Sequence, residues 1–253
     1  MSRSWAVVTG ASSGLGVAYA ERVASMGTNV VLSARRADLL ESVAADLRER
    51  FNVDTRTVTA DLGDQDQRQT LIAELQELDV AYLINNAGFG TMGEFAEADP
   101  DRMADELNLN VVALTDLTRA AVPGMIARRR GAVINVASSA AFQPVPNMAV
   151  YAASKAYVLR FTTALWDELR PTGVRALAIC PGPTDTSFFT NAGNDEVMSN
   201  RRTPSQVVDT TFKALRQHRP YIVDGGGNVA MAFATRFAPA GLQTKLAKLV
   251  ATN

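Results

Sequence analysis

The sequence predicts an α/β fold in which one doubly wound parallel sheet of about seven strands is flanked by helices. Three observations predict it. Short β-branched apolar runs alternate with longer helix-like stretches. Several of those runs are apolar at nearly every position, so both faces of each strand must be covered. The first run leads directly into a glycine-rich turn and then a helix, which presents free N–H groups at the end of a strand.

The strand candidates, in order, are WAVVTG, NVVLSA, DTRTVTAD, DVAYLINNAG, GAVINVASS, VRALAICPG and PYIVDGG. Helix-like segments lie between them at 15–27, 37–50, 64–77, 101–129, 152–170 and 204–217. Right-handed crossovers between parallel strands put ligands at the carboxyl ends of the strands. The stretch 183–203 is the one long irregular segment, and its length suits a lid over a binding site.

With 253 residues, 47% of them apolar, the chain can bury a sizeable core as a single domain spanning 1–253. A formal net charge of −1 argues against nucleic acid as the main partner. Cys180 is the only cysteine, which excludes an intramolecular disulfide and fits a reducing compartment. His218 is the only histidine and sits in the charged stretch LRQHRP, so a Ser-His-Asp triad or a histidine metal site is disfavoured. No secretory leader or membrane-length apolar run is evident. The expected location is cytoplasmic, with no nucleic-acid partner and little membrane contact.

The glycine-rich turn is TGASSGLG, Thr9–Gly16. Glycine lets the backbone approach a ligand closely, and the helix behind it offers positive partial charge to a pyrophosphate. The second strand ends at Ala34, followed by Arg35 and Arg36, where an NAD site would usually offer a carboxylate to the ribose hydroxyls. A guanidinium can instead grip a 2′-phosphate through paired donors. The expected cofactor is therefore NADP(H); the alternative is two surface arginines at a helix start.

The stretch YAASK places Tyr151 and Lys155 four residues apart, on one helix face, with β-carbons roughly 6 Å apart. It could be an ordinary solvated face. It could also be a proton-transfer pair, since a free tyrosine has a pKa of about 10 and a nearby ammonium favours its phenolate.

These motifs together resemble the short-chain dehydrogenase/reductase family, along nearly the whole chain. TGASSGLG resembles the family's TGxxxGxG loop, which implies cofactor contacts from Gly10, Ser12, Ser13, Gly14, Leu15 and Gly16. ADL at 60–62 resembles the segment that touches the adenine, through Asp61 and Leu62. NNAG at 85–88 resembles the motif after the fourth strand and implies Asn86, Ala87 and Gly88 along the cofactor. PGPTDT at 181–186 resembles the PGxxxT segment over the nicotinamide, with Pro181, Gly182, Thr184 and Thr186. YAASK is similar to the family's YxxxK motif.

The resemblance implies a Rossmann-type fold and a catalytic set of Asn110, Ser138, Tyr151 and Lys155. Tyr151 would be the general acid and base. Ser138, thirteen residues earlier, would hold the carbonyl oxygen. Lys155 would hold the nicotinamide ribose and support Tyr151, and Asn110 would anchor a water linked to Lys155. No metal is required. The implied activity is NADPH-dependent reduction of a ketone or aldehyde, reversible as alcohol oxidation. A membrane-associated lipid or steroid ketoreductase and a non-catalytic NADP-sensing module are the alternatives.

Phe89, Phe142, Val145, Met148, Phe188 and Phe189 are candidates to line an apolar substrate pocket. A C-terminal helical extension at about 227–251 could pack over that pocket, build an oligomer, or rest on a membrane with Arg236, Lys245 and Lys248 outward. A homodimer or homotetramer is expected: the long helices at 101–129 and 152–170 are rich in small and apolar residues, and the family resemblance implies that these two faces pair between subunits.

Overall fold

The computed structural model describes residues 3–186, 188, 201–235, 237–239 and 241–244. Seven strands form one sheet: β1 Trp5–Thr9, β2 Asn29–Ala34, β3 Thr55–Thr59, β4 Val80–Asn85, β5 Gly131–Val136, β6 Val174–Cys180 and β7 Tyr221–Val223. Their order is β3-β2-β1-β4-β5-β6-β7, and every pairing is parallel. The order reverses between β1 and β4, so the crevice for a ligand opens above the carboxyl ends of those strands.

The helices are α1 Gly14–Ser25, α2 Ala37–Phe51, α3 Gln65–Glu77, α4 Pro100–Leu107, α5 Leu114–Ala127, α6 Ala149–Leu169, α7 Pro204–Arg216 and α8 Gly226–Thr235. Local chemistry fixes several starts. The Asp64 carboxylate accepts from Gln67 N, and Thr203 and Gln206 form a reciprocal capping box ahead of α7. One sheet face buries Tyr19, Leu40, Leu47 and Phe212 under α1, α2 and α7. The other buries Leu71, Leu117, Met125 and Leu169 under α3, α5 and α6.

A buried polar ladder crosses the centre of the sheet. Asn85 Nδ2 donates to Thr118 Oγ1 at 3.0 Å and Asn135 Oδ1 at 2.9 Å, and Asn135 Nδ2 donates to Thr162 Oγ1 at 2.9 Å. Asn85 and Asn135 are register partners. Asn85 Oδ1 alone in this ladder is buried without a partner, and the three bonds that form tie β4 and β5 to α5 and α6 just below the site.

Two expectations are corrected here. The segment 101–129 is not one continuous α-helix: a π-helical turn, Asn108–Ala113, separates α4 from α5. The helix expected at 152–170 starts earlier, at Ala149, which brings Tyr151 into its first turn. The two ends of the irregular stretch 183–203 are pinned together. Thr184 bridges Arg202 in parallel, with Asp185 N to Arg202 O at 2.9 Å and Arg202 N to Pro183 O at 3.0 Å. Most of that stretch, including Phe189, lies outside the described residues, as do Arg236, Lys245 and Lys248. The C-terminal extension is helical at α8 and again at residues 241–244.

Candidate active site

The carboxyl ends of the strands border one continuous cleft of about 1970 Å³. That is more than a single drug-sized ligand fills. β1 opens it through the glycine turn. Thr9 Oγ1 accepts from both Asn86 N at 3.0 Å and Ala87 N at 2.9 Å, and Asn86 Nδ2 donates to Thr9 O at 2.9 Å. The β1 and β4 tails are thereby locked side by side. Gly16 is demanded by packing: a β-carbon there would lie 2.1 Å from the Gly10 carbonyl oxygen. Gly14 has φ +54°, with the Thr186 methyl directly over it.

Every cofactor residue expected from the sequence borders the cleft except Gly16, which lies buried beneath the turn. At the far end of the turn the two arginines differ. Arg36 Nη2 lies 3.1 Å from Ser12 Oγ and 3.2 Å from Ser13 Oγ, so its guanidinium spans the glycine turn. The Arg35 side chain is 73% exposed and pairs with Asp61 at 3.7 Å.

β5 and β6 deliver the opposite wall. Their pairing continues past the strand ends, through Ala137 N to Ile179 O and Ser139 N to Pro181 O, both 2.8 Å. Those bonds hold Ser138 beside Pro181 and Gly182. α6 then brings Tyr151 and Lys155 against Ser138. Lys155 Nζ donates to Val136 O at 2.8 Å and lies 5.8 Å from the Tyr151 ring centroid. Asn110, within the π-turn, does not border the cleft but lies one layer behind it. Its Nδ2 donates to Phe89 O at 2.8 Å and Ser154 Oγ at 3.1 Å, while its Oδ1 accepts from Phe89 N at 3.2 Å. π-turns inside α-helices recur at functional sites, and this one aims an amide at the loop after β4.

The titration of the pair departs from the expectation that Lys155 lowers Tyr151. Burial pushes the Tyr151 phenol up to about 12; Ser138 pulls it down, and the Glu106 charge raises it further. Burial also pushes Lys155 down to about 8, against the pull of Glu106. The sequence supplies the spacing but not the burial, and here desolvation wins. Cys180 is fully buried and pushed up to about 12 by burial, so its thiol stays protonated.

Around Tyr151 the cleft gains apolar side chains, with the Arg102 guanidinium 5.1 Å over the Phe89 ring at its edge. Phe188 lies 5.3 Å from the Tyr151 ring, and Phe89, Val145 and Met148 are also in the wall. Phe142 is not. It packs into the cluster of Val158, Leu159 and Ala178 and lies 5.9 Å from the Tyr221 ring. Sequence reasoning missed Met92, Gln143, Asn228 and Met231, which complete the wall. Met92 was discoverable, since it follows the β4 strand end. Asn228 and Met231 come from α8, which carries no motif. Buried Glu106 was missed as well.

A family model for short chain dehydrogenase matches residues 4–197. The chain belongs to the short chain dehydrogenase family. It is 34% identical over 183 residues to the human very-long-chain 3-oxoacyl-CoA reductase, covering 70% of this chain and 58% of the relative. The chain thus spans little more than half the length of the curated relatives it matches. Among solved structures, a short-chain dehydrogenase from Sphingobium yanoikuyae in complex with NADPH is 32% identical, with a TM-score of 0.87 over 94% of both chains. A 7β-hydroxysteroid dehydrogenase is 28% identical, with a TM-score of 0.89 over 96% of both chains.

The Sphingobium yanoikuyae structure holds a nicotinamide cofactor, NADPH. The residues fit such a group. The glycine turn leads into the N-terminus of α1, which suits a pyrophosphate. The cleft runs unbroken from Arg36 to Tyr151. Among the described residues, no helix is long and apolar enough to cross a membrane.

Proposed function

We propose that the protein is an NADPH-dependent reductase of bulky apolar ketones, reversible as an alcohol dehydrogenase. One observation carries the reading: Ser138, Tyr151 and Lys155 meet the glycine turn and Arg36 along a single cleft. Bound NADPH supplies the hydride. Tyr151, kept neutral by burial, donates its proton to the carbonyl oxygen as charge develops there. The Ser138 hydroxyl steadies the same oxygen. Lys155, anchored on Val136 O, fixes the Tyr151 side of the cleft and offers its donors to a cofactor ribose. Asn110 holds the Phe89 backbone at the edge of the substrate end. Arg36, with Arg35 beside it, favours a 2′-phosphate over a free ribose hydroxyl.

The apolar end of the cleft, lined by Phe89, Met92, Val145, Met148, Phe188 and Met231, supports a large apolar substrate. The names of the relatives, an oxoacyl-CoA reductase and a hydroxysteroid dehydrogenase, support the same class. The test is a panel of long-chain and polycyclic ketones with cofactor oxidation followed optically. Tyr151→Phe should bind NADPH normally and lose about 10²–10⁴-fold in reduction. Reduction by that variant at nearly the wild-type rate would refute the mechanism.

A second reading, lipid-surface reduction of acyl substrates, rests on the C-terminal segment. Phe233 and Phe237 are 66% and 71% exposed, meet edge to face with ring centroids 5.2 Å apart, and follow Met231, which lines the cleft. Vesicle flotation separates it from the first reading: it requires the chain to rise with the lipid.

A further inference from the structure

Glu106 is the last acidic residue of α4 and is 0% exposed. Both of its carboxylate oxygens are enclosed, and the donors beside them, the Thr91 hydroxyl and backbone N–H, stand outside good hydrogen-bond geometry. A buried carboxyl left in that state is costly and calls for an explanation. Its place supplies one. Glu106 is four residues ahead of Asn110, and α4 packs on α6, which carries Tyr151 and Lys155. The loop from Gly88 to Thr91 runs between them: Gly88 faces Asn110 Oδ1 and Lys155 Nζ, Gly90 faces the Tyr151 ring, and Thr91 faces Glu106. The charged and titratable groups that act on the carboxyl are Lys155 and Tyr151 from α6 and Arg102 from α4 itself.

We propose that Glu106 is a positioning residue of the reaction centre, whose buried negative charge balances Lys155 and sets the pH range in which Lys155 and Tyr151 work. The proposal rests on the oxidoreductase reading above and assigns Glu106 no contact with substrate. Burial raises the Glu106 carboxyl, while Thr91, Lys155 and Arg102 hold it down. Above its raised pKa the carboxylate opposes proton loss from both Lys155 and Tyr151. Removing the charge must therefore lower both values, since each loses a neighbour that favours its protonated form.

The chain has four lysines, Lys155, Lys213, Lys245 and Lys248. Side-chain ¹³C NMR of lysine-labelled protein therefore reads Lys155 directly, without cofactor, with assignment from Lys155→Met. In Glu106→Gln and Glu106→Met the Lys155 deprotonation should move down by about one pH unit. Glu106→Asp should keep most of the wild-type value. The alkaline limb of kcat/KM should move in the same direction, and Glu106→Met should melt no lower than wild type, because a poorly hydrogen-bonded buried carboxyl has been replaced by an apolar group. An unshifted Lys155 titration in both the Gln and Met variants would overturn the proposal. Unfolding of both would also overturn it, by making Glu106 a structural group. Failure of the wild type to bind NADPH or reduce any ketone would count against the oxidoreductase reading alone, since the lysine titration is read without either.

Discussion

Arg36 carries the sharpest test of the cofactor assignment. Its guanidinium bridges the Ser12 and Ser13 hydroxyls at 3.1 and 3.2 Å, so a 2′-phosphate seated there would meet a fork already oriented across the turn. Arg35 is exposed as well and shares its charge with Asp61 at 3.7 Å. A charge-assisted contact is worth about 1.5–3 kcal/mol, or about 10- to 150-fold in affinity. Exposure and salt reduce that figure, so Arg36→Ala should weaken NADPH binding by about 10- to 50-fold. Arg35→Ala should cost less, and the double variant more than either. NADH binding should change by less than about twofold in all three, because it has no phosphate to lose. The assay is fluorescence titration of both cofactors at low and high salt, and the wild-type preference for NADPH should shrink as salt rises. Equal wild-type affinity for NADH and NADPH would refute the reasoning. So would an Arg36→Ala variant that loses NADH binding as severely as NADPH, which would make the arginine a support of the turn.

Three further outcomes follow from the geometry. Lys155 is charged at a cost in the folded state, with its pKa pushed from 10.5 down to about 8. Stability should rise with pH from about 8, where the unfolded state binds more protons, until Cys180 opposes it above about 9; melting of Lys155→Met should lack this rise. Gly16→Ala should destabilise the fold by about 1–3 kcal/mol in urea titration and weaken cofactor binding, because its β-carbon meets the Gly10 carbonyl rather than a side chain that can move. Val112, Ile126 and Tyr157 expose apolar surface on the π-turn, α5 and α6, so light scattering should give a dimer or larger, and Tyr157→Glu should shift it toward monomer. A wild-type monomer at micromolar concentration would remove that expectation.

The fold was legible because its signals are local. Fully apolar strands, glycine at the first turn and helix-length spacers each dictate their element without reference to the rest of the chain. The positions of Ser138, Tyr151 and Lys155 were legible too, because strand ends and helix spacing carry them. What the sequence could not reveal depends on three-dimensional enclosure. Phe142 sits at a strand end like Phe89, but only packing against Val158 and Tyr221 decides that it turns away from the cleft. The π-turn at Asn108–Ala113 carries no local signal that separates it from the helices on either side, and its Asn110 meets the Phe89 backbone only through the fold. Met231 and Asn228 reach the cleft from a helix without any motif.

The same enclosure explains why the titration of the pair runs opposite to the simplest reading of YAASK. In water, an ammonium one turn away would draw the phenol toward its ionised form. Here Lys155 is itself starved of solvent and spends a donor on Val136 O, so its charge is the less stable partner. Tyr151 and Cys180 are held neutral by the same desolvation. A neutral phenol that ionises only near pH 12 is a proton donor throughout the ordinary pH range, which suits reduction of a carbonyl. Oxidation would call on Tyr151 as a base, and positive charge arriving beside it would favour its phenolate. An oxidised nicotinamide ring carries that charge and a reduced one does not. On the proposed mechanism the direction of proton transfer would follow the redox state of the cofactor, and the buried Glu106 charge would set how far the balance must be tipped.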